Sequence, residues 1–250
     1  VTETLLLNGQ PLHTVTTELL RATTYAHFTS MQVRSGHVDG LDLHLERLDR
    51  STREVFGRPL AADRVRSTLR AGLDRTDGDA TFRLTIVGGA DLLLRIEAPI
   101  APATTPLRLQ PVEHQRALPH LKHTGSFDLI YFGRRAQEAG YDDAVFHNAT
   151  GAISEATIWN ICFARGATIT FPSAPVLNGI RQQVLQRGLA DFEVAPVHLN
   201  DLPTYDAAYL TNSIDPALPV AAIGTVSFEP HAESAAVIAA AYASQQAQAI

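Results

Sequence analysis

Lysine is nearly absent from this 250-residue chain: of 20 Lys+Arg positions, 19 are arginine and one, Lys122, is lysine. Cysteine is as scarce. Cys162 stands alone, which rules out an intramolecular disulfide and any zinc site built from four cysteines, and makes a reducing cytoplasm the expected compartment. No apolar run approaches the roughly 18 residues needed to cross a bilayer, and the N-terminal residues lack the succession of a secretion signal. The protein is therefore expected to be neither embedded nor exported. A formal charge of −6 without a clustered basic face excludes nucleic acid and anionic membranes as main partners. What the chain does have is 45% hydrophobic and 18% charged residues, enough for one large core or two modest ones.

The arginine bias gives Lys122 its interest. On a solvated surface either residue supplies positive charge. An ε-amine, however, can lose its proton when desolvated and attack a carbonyl, whereas a guanidinium stays protonated. Unless Lys122 is a chance survivor, it is present for that chemistry.

Periodicity predicts an α+β protein. Leu5–Leu7 and Phe28–Val33 read as strands, with a turn at 34–37. Helices are expected over Leu41–Phe56, ended by Gly57 and Pro59, and over Ala61–Leu73, followed by strands Thr81–Val87 and Leu92–Glu97. The proline-rich stretch 99–106 reads as a linker between an N-terminal domain, 1–98, and a C-terminal domain, 107–250. In the latter, strands are expected at Leu107–Val112, Ala144–Phe146, Asn160–Ala164, Thr168–Phe171 and Ala207–Thr211, the last leading into a proline-interrupted loop. Helices are expected over Phe127–Gly140, from an Asn178 N-cap to about Ala190, and over Ala232–Ala243, with the Ala/Gln-rich end fraying.

Several residues have types suited to one cofactor. Pyridoxal 5′-phosphate (PLP) needs an amine for its aldehyde, an acid for its pyridine nitrogen, donors for its phosphate and groups that orient the substrate. Lys122, in Leu121-Lys122-His123-Thr124-Gly125 between a predicted strand and helix, supplies the amine. Glu155, in Ile153-Ser154-Glu155-Ala156-Thr157, is the candidate acid, although a solvent-facing strand glutamate looks the same. Asn178-Gly179-Ile180-Arg181 offers a close backbone approach at a helix start, and Arg47 and Ser213 offer further donors. Arg83, in the strand Phe82-Arg83-Leu84, is a candidate for a substrate carboxylate. His114, His120 and His123 form a histidine cluster without an acidic or cysteine ligand spaced to complete it, so no metal site is expected.

The order of these segments resembles the class IV aminotransferase family, the fold-type IV PLP enzymes. His44-Leu45-Glu46-Arg47-Leu48 is similar to its HLxRL segment. Gly140-Tyr141-Asp142-Asp143-Ala144, Gly151-Ala152-Ile153-Ser154-Glu155 and Asn160-Ile161 resemble its GYDEA…GxxSEx…NxF signature. Leu177-Asn178-Gly179-Ile180 resembles its LxGI phosphate turn, and Thr211-Asn212-Ser213 its second phosphate loop. The resemblance implies a small N-terminal α/β domain and a larger C-terminal domain with an antiparallel β-barrel-like core. It implies a Schiff base at Lys122, Glu155 at the pyridine nitrogen, and Arg47, Ile180, Arg181 and Ser213 at the phosphate. It further implies a homodimer acting on a small amino donor and a keto acceptor.

Departures from the family pattern bear on the substrate. Gly179-Ile180-Arg181-Gln182 stands where the family reads GITR, and Thr29, in Tyr25-Ala26-His27-Phe28-Thr29-Ser30, replaces a glutamate, leaving Tyr25 and Thr29 as candidate substrate contacts. Phe127 replaces a tyrosine of the branched-chain enzymes. Leu121-Lys122-His123 is closer to the aminodeoxychorismate lyases, which release pyruvate and form 4-aminobenzoate. An aminotransferase is the first expectation, such a lyase the second, and a PLP-binding module without catalysis the third.

Overall fold

Alternating side chains in Ala26–Val33 turn Met31 and Val33 into a core that Leu41, Leu48, Leu69, Phe82, Leu84 and Leu94 complete. This core belongs to the first of two units in the computed structural model, which describes residues 3–250. Unit 1 comprises the chain up to Ala101 with Leu121–Gly125 and Gln246–Ile250, and unit 2 comprises Pro102–His120 with Ser126–Gln245. Among the described residues no helix is long and apolar enough to cross a membrane.

Unit 1 runs β1 (Thr4–Leu7), β2 (Gln10–Pro11), α1 (Thr17–Ala22), β3 (Ala26–Val33), β4 (His37–Val38), α2 (Leu41–Phe56), α3 (Ala62–Leu73), β5 (Ala80–Val87) and β6 (Asp91–Glu97). Its five-stranded sheet has the order β2-β1-β6-β5-β3 with every pair antiparallel. The order leaves β3 at an edge, where unpaired backbone groups need partners. The lysine segment supplies them: Phe28 N–H donates to the Lys122 carbonyl at 2.8 Å, and Thr124 N–H donates to the Ala26 carbonyl at 2.9 Å. The chain's end is held in the same unit. Gln248–Ala249 pairs antiparallel with β4, and Ile250 is buried with its N–H on the Gly36 carbonyl. The fraying expected from the Ala/Gln composition is thus corrected, because a terminal isoleucine and a strand partner outweigh local propensity.

Unit 2 contains β7 (Leu107–Glu113), α4 (Phe127–Glu138), β8 (Asp143–His147), β9 (Ile153–Ala156), β10 (Asn160–Arg165), β11 (Thr168–Pro172), α5 (Ile180–Gly188), β12 (Glu193–Ala195), β13 (Ala207–Thr211), β14 (Leu218–Ile223), β15 (Val226–Ser227) and α6 (Ala232–Ala243). They form one large sheet in the order β12-β11-β10-β13-β14-β7-β8-β9, with β15 on β14. The α+β class and the large C-terminal sheet are as expected. The pairing is mixed: β11 with β12, β14 with β7, and β7 with β8 run parallel. The proline-containing stretch after Thr211, expected as loop, includes β14, in which Pro219 pairs with Tyr209.

The start of α5 also differs from expectation. Gly179, not Asn178, is the N-cap, and no side chain caps the helix. The reason lies in the neighbouring strand. Asn160 on β10 packs where a Cβ at position 179 would sit, and its Nδ2 donates to the Leu177 carbonyl at 2.7 Å. At the far end of α5, Gly188 lets the backbone of α6 approach directly, for a Cβ there would collide with the carbonyl of Ala241. A Gly188→Ala variant should therefore lose about 3 kcal/mol of stability, despite alanine's better helix propensity. Urea unfolding of the two proteins tests this, and an unchanged or raised midpoint would contradict the packing.

Candidate active site

Lys122 inherits its position from β3. The two backbone bonds, at its own carbonyl and at the N–H of Thr124, and a third from Thr124 Oγ1 to the Thr23 carbonyl at 2.7 Å, fix the segment while the side chain remains partly exposed. Its Nζ lies 5.0 Å from the centre of the Phe28 ring, and the Arg83 guanidinium lies 3.6 Å from the same centre. Burial, followed by the charge of Arg95, lowers the pKa of Arg83. Unit 1 thus brings two of the predicted residues, the lone amine and the candidate carboxylate receptor, to one aromatic ring. Tyr25 is exposed and stands edge-on to Phe56.

Behind β3 lies a polar layer that periodicity alone would fill with hydrophobes. His27 and Thr29 alternate inward with Met31 and Val33, and α2 turns His44, Arg47, Ser51 and Thr52 toward the interior. The hydrogen bonds can be assigned by counting protons. Arg47 can only donate, so Thr29 Oγ1 accepts from Arg47 Nη2 at 2.6 Å, and the same oxygen lies 2.5 Å from His44 Nδ1. Thr52 donates to the Leu48 carbonyl at 2.7 Å, so it accepts from His27 Nε2 at 3.0 Å.

Arg47 is the unusual member of this layer. It is buried, its Nε has no hydrogen-bond partner, and among the described residues no carboxylate pairs with it. Burial, followed by Arg50, lowers its pKa to about 10. A buried cation in this state is costly unless an anion joins it. An orphaned guanidinium donor of this kind fits the phosphate of PLP.

In unit 2, Glu155 is buried at the end of β9. Arg116 Nη1 lies 3.4 Å and 3.5 Å from its two carboxylate oxygens, and Leu177 N–H lies 3.4 Å from each. The turn after it is held by Asp143, whose carboxylate accepts from Thr157 Oγ1 at 2.7 Å and Trp159 Nε1 at 3.0 Å. Leu177 connects this acid to the next predicted element, because its carbonyl takes Asn160 beside Gly179 and the start of α5 at Ile180. Arg181 places its guanidinium 5.4 Å from the Tyr242 ring centre. Ser213 sits in a tight loop where Asn212 Oδ1 accepts from the N–H groups of Ile214 and Asp215, at 2.7 Å and 2.9 Å. These groups offer an acid and backbone donors at a helix start, which also suits PLP.

Arg116 was not among the expected site residues. The one signal for it was the need of a buried glutamate for a cation, and that need is invisible until Glu155 is known to be buried. Of the three histidines considered for a metal, His114 Nε2 bonds Asp128 at 2.9 Å, and the backbone of His123 pairs antiparallel with that of His27. Among the described residues no group of three or more His, Cys, Asp or Glu is placed to hold a metal ion.

Comparison with known proteins adds a family and a fold. The amino-transferase class IV family matches residues 26–223. A candidate 4-amino-4-deoxychorismate lyase from Legionella pneumophila is 21% identical, with 86% of this chain and 89% of that one covered and a TM-score of 0.76. A fold IV transaminase from Curtobacterium pusillum is 19% identical over 97% and 99% of the two chains, with a TM-score of 0.79. A hypothetical aminotransferase from Mycobacterium tuberculosis, solved in PLP-bound form, is 18% identical over 97% and 99%, with a TM-score of 0.82. At these identities the structural likeness is one of fold.

The polar layer also makes a prediction for stability. Burial, and secondarily Arg47, lowers the pKa of His27 from 6.5 to about 4. Between those values the unfolded chain binds a proton that the folded chain does not, so this contribution is complete above pH 6.5 and is lost as pH falls toward 4. The loss is at most about 3 kcal/mol. Denaturation series across this range should show the slope in the native protein and a flatter one in His27→Gln; equal slopes would remove His27 from the account.

Proposed function

The chain belongs to the amino-transferase class IV family, whose cofactor is pyridoxal 5′-phosphate, and from that premise we propose that it transfers an amino group between a small amino acid or amine and a keto acid. The observation that carries this reading is the lone lysine, in a segment whose Lys122 carbonyl and Thr124 N–H are hydrogen-bonded to β3. When bound, PLP supplies an electron sink for the electrons left as a Cα–H bond breaks. In this reading Lys122 Nζ would hold the aldehyde and would serve as the base that accepts the substrate's Cα proton and returns it. Glu155, steadied by Arg116, pairs with the pyridine nitrogen and favours its protonated form.

For the phosphate, the reading assigns the guanidinium of Arg47, the backbone donors of Ile180 and Arg181, and the hydroxyl of Ser213. Thr29 serves Arg47 in this scheme, since its buried hydroxyl is hydrogen-bonded to Arg47 and His44. Arg83 and Tyr25 remain the candidates for the substrate. Arg83 is supported by its place on the ring that Lys122 also meets. Phe127, Ile130 and Tyr131 are exposed on α4, an apolar face in keeping with a homodimer.

Leu121-Lys122-His123 favours a second reading, the aminodeoxychorismate lyase, because this string resembles that group. Both reactions begin with the same proton removal, so one assay series separates them. With PLP, the protein should show a visible absorbance band that borohydride traps on Lys122, and Lys122→Ala should lack the trapped product and lose at least about 1,000-fold in rate. Amino donors should shift the band to shorter wavelength as one equivalent of keto acid forms. Pyruvate and 4-aminobenzoate appearing from aminodeoxychorismate without a keto acceptor would move the assignment to the lyase. A band that no donor shifts and no turnover would reject both.

A further inference from the structure

We propose that Tyr242 is a positioning residue that holds together the two backbone segments gripping the cofactor's phosphate; this rests on the reading above. Its hydroxyl lies 3.1 Å from the Arg181 carbonyl in the first turn of α5, 2.9 Å from the Pro216 carbonyl in the loop after Ser213, and 3.2 Å from Thr211 Oγ1 at the end of β13. Neither carbonyl can donate, so the single phenolic proton is shared between them. Thr211 must then be the donor to the phenolic oxygen. One atom thereby ties the helix start at 180–181 to the 211–216 loop.

Two further contacts fix where that atom stands. Tyr242 follows Ala241, the residue whose backbone Gly188 admits at close range, so the α5–α6 approach sets the height of the tyrosine along α5. The other end of α6 is anchored by Tyr209, whose hydroxyl meets Ser234 Oγ at 2.8 Å and donates to the His231 carbonyl at 3.2 Å. The ring also carries the Arg181 guanidinium on its face. The loop tied by the hydroxyl is stiff in its own right: Asn212 closes it, and Asp215 Oδ1 receives the Ala103 N–H at 2.5 Å. Moving the hydroxyl therefore displaces a preformed loop as a piece, and the spacing between two sets of phosphate donors changes with it.

The test compares ligands that differ only in the phosphate. Tyr242→Phe keeps the ring and removes the hydroxyl, and it should weaken PLP binding about five- to tenfold, the worth of one net hydrogen bond. Binding of pyridoxal, which has no phosphate, should stay within twofold, and the ³¹P resonance of bound cofactor should move. Thr211→Val, which strips the same hydroxyl of its donor, should give a smaller loss of the same kind. Equal weakening of both ligands would assign Tyr242 a general structural role and overturn the proposal. So would affinities and a ³¹P resonance unchanged in both variants. Native protein that binds neither ligand would sink the cofactor assignment itself, which the borohydride experiment on Lys122 reads separately.

Discussion

The buried guanidinium of Arg47, which no carboxylate pairs among the described residues, lies between α2 and β3. Burying a cation costs several kcal/mol unless its donors are met. Thr29 meets one donor of Arg47, His44 Nδ1 hydrogen-bonds the same threonine hydroxyl, and Nε is left over. This explains why an inward position of β3 carries Thr29 where the strand's alternation calls for an apolar side chain, while His27 beside it bonds Thr52. Burial, and secondarily the Arg47 charge, favours neutral His27. Keeping this positive charge buried costs stability inside the unit.

Unit 2 meets a similar demand by close backbone approach. Gly179 yields space to Asn160, and Gly188 yields space to Ala241. The first contact joins the start of α5 to the strand after Glu155, and the second brings α6 near enough for Tyr242 to reach the turn. Glu155 contrasts with Arg47. It has Arg116 and the Leu177 N–H around it, so the acid has hydrogen-bond partners within its own unit while Arg47 keeps one unmet donor.

Local signals were readable where they end in local punctuation. The bounds of α2 follow from an amphipathic run closed by Gly57, and those of α6 from an alanine run, and both were legible without a structure. The motif residues Glu155, Gly179 and Arg47 could be picked out by type and order. Their partners could not. Arg116 lies 39 residues from Glu155, and Tyr242 sits in a helix whose composition advertises only propensity. The pairing of Gln248–Ala249 with β4 was hidden because backbone hydrogen bonds leave no mark on side-chain composition, and Pro219 obscured β14.

The sequence by itself determined which chemistry is available. A chain with 19 arginines and one lysine has one side-chain amine able to join a carbonyl, and the family motifs around it define the cofactor. Tertiary structure decided how that chemistry is held. Leu121–Gly125 has no strand periodicity, yet its backbone completes the open edge of β3, so Lys122 is set by hydrogen bonds that any residue could make. The charge on Arg47, the company of Glu155 and the reach of Tyr242 likewise depend on burial and on contacts distant in the chain. Those exist only once the sheets have formed and desolvation has made each unpaired polar atom costly.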